Sequence, residues 1–283
     1  MSLKKIILLF FILIIVIAGF VLYKAYVPQR VSLSFVNEIL EDRQYYWSGP
    51  NNEYLTRYRE EFDLLEIISG AENDFEKVIK LNSWVSGLWK HHGSNTPEFN
   101  DPISILKEVE MGKRFRCVEY AIVLTEALNA VGIPARTVSL MTKDVETKKT
   151  GAGHVITEVY VRDFEKWVMV DGQWNAIPLL DGIPLNSVEL QEAINSNFSS
   201  VEIMNMNFFK QLFYKNWIYS YLYYFNFFYN NVYSSYNNSR KLLLAPIGAA
   251  NPKVFQIKYP IQNMDYTNSI SEFFPNPYDY MID

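Results

Sequence analysis

The chain has few of the residues on which common metal and redox sites depend. It holds one cysteine and three histidines in 283 residues. A single cysteine has no partner for an intrachain disulfide and cannot form the CxxC pairs of a zinc site. The HExxH pattern of zinc proteases is also missing. We therefore expect neither a metal nor a cofactor.

Other familiar motifs are missing as well. The chain has no G-x-S-x-G pattern of the kind that serine hydrolases carry. Gly151-Ala152-Gly153 lacks the third glycine and the following helix that a dinucleotide-binding fingerprint needs, so we interpret it as a flexible loop. The formal charge is −5, and no basic stripe with interleaved aromatics occurs. This excludes nucleic acid as the main partner.

The amino-terminal region carries one long apolar run. After Lys4 and Lys5, the chain reads IILLFFILIIVIAGFVL from Ile6 to Leu22 without a charge. This length is near the ~17-residue lower limit for crossing a bilayer. Because no small-x-small cleavage site follows, we predict an uncleaved, single-pass membrane anchor, with a cleaved signal peptide as the alternative. The lysines favour an inside amino terminus, which would place the rest of the chain outside the cytoplasm.

Composition and periodicity divide the chain into four segments, namely an anchor (1–30), a helical region (31–100), a catalytic core (101–200) and an aromatic-rich extension (201–283). In the second segment, apolar spacing predicts helices in VNEILEDR, over Tyr54 to Ile68 and over Asp74 to Trp89. Asp101-Pro102 is typical of an N-cap followed by proline at the first helical position, and it predicts a short helix through Val109. In the third, Ala135 to Met141 is a strand candidate.

The extension is crowded with tyrosine, phenylalanine and asparagine from Ile203 onward. Two interpretations compete. The aromatics belong either to strands that cover the core, which we favour, or to a membrane-active amphipathic segment. Lys241 to Pro246 and Val254 to Lys258 are further strand candidates, and the tail from Asn263 is expected to lie irregularly on the surface.

Cys117 begins the chemical argument. A basic loop, Lys113 to Arg116, runs into an apolar helix-like stretch, Val118 to Val131. A thiol in the first turn of a helix, among cations, is stabilised as the thiolate by the positive end of the helix dipole. The alternative is that Cys117 is a small apolar core residue, as most lone cysteines are.

Two later segments favour the catalytic interpretation. Gly153 to Val161 is typical of a strand with His154 at its head, and Trp167 to Val170 of a strand followed by Asp171. The short loop between them predicts an antiparallel hairpin. If that loop has two or four residues, His154 and Asp171 share a face and meet as direct or diagonal neighbours. Such a cysteine, histidine and aspartate are the set that thiol-dependent acyl transfer needs.

The stretch from Asp101 to Asn175 resembles the transglutaminase-like superfamily of papain-like cysteine enzymes. The motifs that carry the resemblance are RCVEYAIVLTEALNAVGIPARTVSL, GHVITEVYV and KWVMVDGQWN. The resemblance implies an α+β fold in which a cysteine-bearing helix packs on an antiparallel sheet. Arg116 to Ala121 is most similar to the R-C-x-E-aromatic-A motif of the peptide N-glycanase branch. Phe115, however, stands where most members have glycine, and the zinc ligands of the eukaryotic glycanases are missing.

The chemistry assigns a role to each of the three residues. Cys117 attacks an amide or thioester carbonyl, His154 holds the thiol proton and returns it to the leaving amine, and Asp171 orients the imidazole through Nδ1–H. The backbone N–H of Cys117 is one donor to the tetrahedral oxyanion.

The second oxyanion donor cannot be read from the sequence. The resemblance suggests an indole N–H from an upstream tryptophan, Trp84 or Trp89, whose alternative role is core packing on an amphipathic helix. His91 and His92 follow the same helix, and we assign them no role in the site. Glu119 is interpreted as structural, with Arg116 or Arg136 as partner.

Two classes of function remain open. The first is a membrane-anchored cysteine enzyme that hydrolyses amides or transfers acyl groups on peptide or protein substrates. The second is a catalytically inactive binding or assembly module that uses the aromatic carboxy-terminal region. We favour the enzyme. The sequence leaves the oligomeric state open.

Overall fold

The computed structural model describes residues 4–6, 8–14, 17, 30–231 and 240–282. Over these ranges, none of the helices has both the length and the apolar character needed to cross a membrane. The predicted anchor, Ile6 to Leu22, lies in part outside the described residues.

Helices and strands alternate irregularly from residue 30 onward. The helices are α1 (Glu53–Glu61), α2 (Leu64–Ile67), α3 (Asp74–Gly87), α4 (Pro102–Glu110), α5 (Cys117–Ala130), α6 (Ser187–Ser196), α7 (Phe208–Tyr219) and α8 (Ile270–Phe273). The strands are β1 (Tyr46–Ser48), β2 (Ala135–Met141), β3 (Gly153–Val161), β4 (Lys166–Val170), β5 (Pro178–Leu180), β6 (Ile183–Pro184), β7 (Val201–Ile203), β8 (Tyr224–Phe228), β9 (Asn230–Asn231), β10 (Lys241–Leu244), β11 (Val254–Phe255), β12 (Tyr259–Pro260), β13 (Met264–Thr267) and β14 (Met281–Ile282).

A six-stranded sheet in the order β13-β10-β8-β2-β3-β4 forms the centre of the fold. Its neighbours pair antiparallel, except that β10 and β13 are parallel. The expected purely antiparallel sheet is therefore wrong at one edge. Residues 245–263 return the chain to the same end of the sheet before β13, which makes the last pair parallel. The fold is α+β with the Cys117 helix on a mixed sheet, followed by an aromatic-rich region that supplies half of the strands.

Alternate residues of the sheet strands enter two separate hydrophobic clusters, as the pleat requires. Ala135, Val159 and Val168 join α5 and the amino-terminal helices in one cluster. Val138 and Ile156 join the aromatic carboxy-terminal residues in the other. Helix α5 thus lies between the sheet and helices α1, α3 and α4, which fixes the position of its first residue, Cys117.

A buried cation joins the carboxy-terminal region to the sheet. The Arg136 side chain is fully buried, donates to Glu158 Oε2 at 2.8 Å and to the Phe273 carbonyl oxygen at 2.7 Å, and lies over the Phe227 and Trp167 rings at 3.9 and 4.3 Å. The aromatic rings and the carboxylate replace the water that this guanidinium loses. Packing on this face of the sheet therefore depends on residues far apart in sequence.

The predicted helix in VNEILEDR is wrong. Val36 is part of an isolated bridge to Ser269, and the N–H groups of Leu40 and Glu41 both donate to Glu272 Oε1. These backbone groups are bonded to the carboxy-terminal segment, so tertiary contacts override the local helical pattern.

The predicted helix over Tyr54 to Ile68 is interrupted once. Asp63 has a φ of +49° and separates α1 from α2. The other two helix predictions in this region are confirmed. Helix α3 covers the predicted Asp74 start, and Asp101 Oδ1 accepts from the Ser104 N–H at 2.9 Å, which caps α4.

The carboxy-terminal predictions are confirmed in part. Strands β8 and β10 form as the strand interpretation expects, but Phe208 to Tyr219 is the helix α7. Of Val254 to Lys258, only the first two residues are a strand, because Gln256 and Ile257 have positive φ angles. The tail is not irregular, since β13 adds an edge strand and Phe273 is fully buried.

Arg136→Met should lower the free energy of unfolding by about 3 kcal/mol or more, because Glu158 would be left buried without its cation. Denaturant titration followed by circular dichroism measures this change. Arg57→Met is the matched control, since the Arg57 side chain is 62% exposed in its pair with Glu61. A loss no larger for Arg136→Met than for the control would contradict this account of the core.

Candidate active site

Cys117 opens helix α5 and is reachable from outside. It is partly exposed and lines a cavity together with His154. The helix start is held by Glu119, whose Oε2 accepts the Arg116 N–H at 2.9 Å and whose carboxylate also pairs with the Arg116 side chain. As the first helical residue, Cys117 has a backbone N–H outside the intrahelical ladder. The interpretation of Cys117 as a sealed core residue is wrong.

His154 and Asp171 meet as the hairpin predicts. The turn between β3 and β4 spans four residues, 162–165, and the pairing of Thr157 with Val170 puts Asp171 on the same face as His154. The two side chains are 2.8 Å apart, from Nε2 to Oδ2, and both are buried. Because the register is set by one short turn, this contact is the part of the site that local sequence determines.

The orientation of the ring differs from the expectation. His154 bonds to Asp171 through Nε2, not through Nδ1. Nδ1 is then the ring nitrogen left for Cys117, which lines the same cavity as His154 and contributes to its raised pKa. His154 heads its strand, so its side chain reaches Asp171 diagonally, with the far ring nitrogen.

Charge around His154 determines its protonation. Burial alone would lower the pKa of the imidazole, but the charge and hydrogen bond of Asp171, together with Cys117, raise the pKa of His154 to about 10. The ring is therefore an imidazolium at neutral pH, and it already holds the proton that the leaving group of an acyl transfer needs.

Asp171 is held by four hydrogen bonds. Its Oδ2 accepts from His154 and, at 2.9 Å, from the Tyr214 hydroxyl. Its Oδ1 accepts the backbone N–H groups of Gln173 and Trp174 at 3.1 and 3.3 Å. Burial and the charge of Asp171 raise the pKa of Tyr214 well above its usual range, so this hydroxyl stays a donor. The carboxylate is fixed on both oxygens.

Aromatic side chains from α7 and the turn after it cover the imidazole. Trp217 meets the His154 ring edge-on, with centroids 4.8 Å apart, and Tyr221 lies at 5.9 Å. Trp174 packs against Trp217 at 5.2 Å. Sequence reasoning missed these residues because it expected strands here. The signal was the spacing of Tyr214, Trp217 and Tyr221, which is that of one helix face.

The two tryptophan candidates differ in position. Trp84 is partly buried and packs among the amino-terminal helices. Trp89 is buried against Tyr120, with ring centroids 4.1 Å apart, and its carbonyl oxygen accepts the Tyr120 hydroxyl at 2.7 Å. Its buried indole N–H has no hydrogen-bond partner among the described residues. Trp89 therefore lies beside the first turn of α5 with a free donor, whereas Trp84 packs in the helical core.

His91 and His92 have different surroundings. The His92 N–H donates to the Phe115 carbonyl oxygen at 2.8 Å, which ties this loop to the segment before Cys117. Burial, followed by the charge of His154, lowers the pKa of His91. The exposed His91 ring thus lies close enough to His154 for their charges to interact, although nothing in the sequence indicates this.

The cavity beside Cys117 has a volume of about 480 Å³. Its walls come from the start of α5, from β2, β3, β8 and β10, and from the segment that carries β11 and β12. A polar face with Ser139, Asn226 and Lys241 adjoins apolar side chains such as Phe255 and Ile261. The sulfur and the imidazole therefore face a space that can hold part of a peptide.

A family comparison bears on the same residues. Residues 64–172 match the family model described as Transglutaminase-like superfamily, a range that includes Cys117, His154 and Asp171. The chain thus contains a transglutaminase-like superfamily domain. The match names the superfamily and gives no support to the glycanase branch in particular. No curated protein matches the chain.

Solved structures that are similar to the chain include three with printed organisms. A candidate cysteine protease from Cytophaga hutchinsonii is 15% identical over 54% of this chain and 48% of its own, with a TM-score of 0.35. Red sea bream transglutaminase is 12% identical over 84% of this chain and 44% of its own, with a TM-score of 0.37. A candidate protease from Parabacteroides distasonis is 17% identical over 39% and 23%, with a TM-score of 0.30. The chain covers less than half of each of these proteins.

Asp171→Asn should destabilise the protein most at low pH. The pKa of His154 in the fold is raised from 6.5 to about 10. The stabilisation from its charged form is therefore complete below pH 6.5 and is lost as pH rises towards 10. The difference in unfolding free energy between wild type and Asp171→Asn should narrow over this window, as measured by urea titration at several pH values. The exposed Asp181→Asn is the control and should follow wild type. A difference that is constant with pH would contradict the raised pKa.

Proposed function

We propose that the chain is a cysteine enzyme that hydrolyses amides, or transfers acyl groups, on peptide or protein substrates, with Cys117, His154 and Asp171 as its catalytic residues. The observation that carries the proposal is the partly exposed sulfur of Cys117 at a helix start, on the same cavity as an imidazole that a buried carboxylate holds. An activated thiol of this kind is the nucleophile of acyl transfer. The family match to residues 64–172 supports the superfamily but leaves the activity itself to be tested.

The proposed reaction has two halves. The Cys117 sulfur attacks the substrate carbonyl, the C–N bond breaks, and the imidazolium gives its proton to the departing amine, which leaves an acyl thioester. Water or an amine then attacks the thioester, His154 accepts the attacking group's proton, and the sulfur departs. Asp171 keeps the ring charged and oriented in the first half and stabilises the returning charge in the second.

The tetrahedral oxygen anion of each half needs donors. The backbone N–H of Cys117 is one, since it lies at the start of α5. Of the two tryptophans considered, Trp89 is the better second donor, because its unpartnered indole N–H lies beside the first turn of the same helix. Trp84 packs elsewhere in the helical cluster.

The proposed substrate and the proposed cellular location of the enzyme are inferred from the sequence. Arg116-Cys117-Val118-Glu119-Tyr120-Ala121 carries the similarity to the glycanase branch, but Phe115 and the missing zinc ligands weaken any transfer of the glycanase substrate to this chain. The charge-free run from Ile6 to Leu22 supports a membrane-anchored enzyme with its catalytic domain outside the cytoplasm.

A second candidate function is supported by the exposed side of α7. Phe208 and Phe209 are 72% and 78% exposed, and Leu212 and Phe213 extend the same apolar surface. A cluster of exposed aromatics is a common partner-binding surface. It favours the alternative in which the chain binds or assembles with a partner and the three site residues persist as scaffold.

Iodoacetamide should alkylate Cys117 of the full chain about tenfold or more faster than free cysteine at pH 7, because the imidazolium stabilises the thiolate. Mass spectrometry of the labelled peptide gives the rate. His154→Ala should slow the reaction, whereas the control His92→Ala, whose backbone N–H is tied to the loop before Cys117, should not. Rates equal to that of free cysteine would reject the enzyme proposal.

Surface variants separate the two candidate functions. Removing residues 203–283 would delete three strands of the central sheet. The protein would unfold, so this deletion cannot separate the two candidate functions. Phe208→Ser with Phe209→Ser changes only exposed side chains. If Cys117→Ser leaves every cellular phenotype intact while this double variant abolishes it, the binding module is the correct function. The opposite pattern supports the enzyme.

A further inference from the structure

A lysine with no carboxylate partner among the described residues lines the cavity that contains Cys117. Lys241 begins β10, and its Nζ lies over the Phe228 ring at 4.3 Å. The ion pairs of the described residues do not include Lys241, although they include its neighbour Arg240, which pairs with Asp265 at 2.7 Å. A partly buried ammonium without a counter-ion is unusual, since buried charges are normally paired.

Lys241 lines two adjoining cavities. The first is the cavity of about 480 Å³ with Cys117 and His154, and the second, of about 320 Å³, lies between Val118 of α5 and the sheet. Among the described residues that form the walls of these two cavities, none is acidic. Lys241 therefore supplies a positive charge away from Cys117, and no acidic side chain of the described residues lines the space between them.

The register of the sheet shows on which face of the sheet Lys241 lies. Ser139 pairs with both Val155 and Asn226, and Asn226 pairs with Leu243. Lys241 is two residues from Leu243 and therefore lies on the same face. Helix α5 packs on β2 and β3, so β8 and β10 continue this face beyond the helix as a groove.

The same register gives a length scale. Strands β3 and β10 are separated by β2 and β8, which places them about 14 Å apart at ~4.8 Å per strand spacing. An extended peptide advances ~3.3 Å per residue, so about four residues cover this distance. A substrate with its reacting carbonyl at Cys117 would bring a group within about four residues of it to Lys241.

Burial supports an anionic ligand at this point. Loss of water lowers the pKa of Lys241 from its usual value, and no acidic group in the described part of the chain is among the causes that act on it. An arriving carboxylate would supply the missing counter-charge and a charge-assisted hydrogen bond. An apolar ligand would leave the ammonium unpaired.

We propose that Lys241 is a specificity-determining residue that binds a substrate carboxylate, from an acidic side chain or a chain terminus, within about four residues of the amide that reacts with Cys117. This inference rests on the proposed function, because it assumes that a peptide lies in the cavity with its carbonyl at the sulfur. Lys241 acts on binding and takes no part in bond making.

Matched alkylating reagents test the inference on the full chain. Iodoacetyl-oligoglycines of one to four residues are compared as free acids and as carboxamides, which differ only in the terminal charge. Iodoacetyl-Gly-Gly-Glu-amide and its Gln counterpart place the charge on a side chain instead. In each reaction the Cys117 sulfur bonds to the reagent's methylene carbon, iodide leaves with the electron pair, and any proton on the sulfur goes to buffer.

The quantity measured is the rate ratio of acid to amide at Cys117. In wild type the ratio should reach about tenfold for the longer tethers and should fall towards one in 1 M salt, where charges are screened. Lys241→Gln should abolish the preference, and Lys241→Arg should keep it. Lys143→Gln is the matched control, because Lys143, like Lys241, lies over an aromatic ring, that of Tyr223 at 5.6 Å, but lines another cavity. A larger ratio for the glutamate pair than for the terminal acids identifies a side chain as the carboxylate source.

Two failures can be told apart. If Cys117 reacts rapidly with every reagent and the wild-type ratio is one, or is the same in Lys241→Gln, the carboxylate inference is wrong while the activated thiol stands. If every reagent reacts no faster than with free cysteine, the proposed function itself fails. The wild-type ratio and its salt dependence decide the matter even if Lys241→Gln does not fold.

Discussion

The buried contact between His154 and Asp171 is the interaction on which the rest of the site depends. A histidine ring without water would ordinarily lose its proton, but the adjacent carboxylate, with a smaller contribution from Cys117, reverses that tendency and raises the pKa of His154 to about 10. The carboxylate in turn needs its other donors, from Tyr214 and from the turn after β4. Removing charge from either partner would leave the other buried and unpaired, which is why the surroundings are so completely hydrogen-bonded.

Two parts of the chain contribute residues to the surroundings of this contact. The transglutaminase-like domain supplies the Cys117 helix and the hairpin, while the aromatic carboxy-terminal region supplies Tyr214, Trp217 and the sheet strands that carry the groove. The buried Arg136 joins the two, since it bonds to Glu158 of β3 and to the carbonyl oxygen of Phe273. Residues beyond the matched domain therefore complete the surroundings of the imidazole and shape the cavity, and the proposed function needs the whole chain.

Local patterns predicted the elements that local forces determine. The β3–β4 hairpin has a four-residue turn and two alternating strands, so its register and the meeting of His154 with Asp171 follow from sequence. The cap at Asp101 is equally local. The segment after Val36 is not, because its backbone bonds to Glu272 more than 200 residues away. The helical aromatic segment, the parallel edge strand and the bonding of Asp171 to Nε2 also depend on packing that no short window contains.

The most direct test of the central claim is nitrogen-15 NMR of the His154 ring as a function of pH. The account predicts that at pH 7 both ring nitrogens are protonated, with Nε2–H hydrogen-bonded to Asp171, and that the ring loses its proton only near pH 10. The two other histidines, His91 and His92, provide resonances for comparison in the same sample. A neutral His154 ring at pH 7, titrating near the ordinary value of 6.5, would contradict the account.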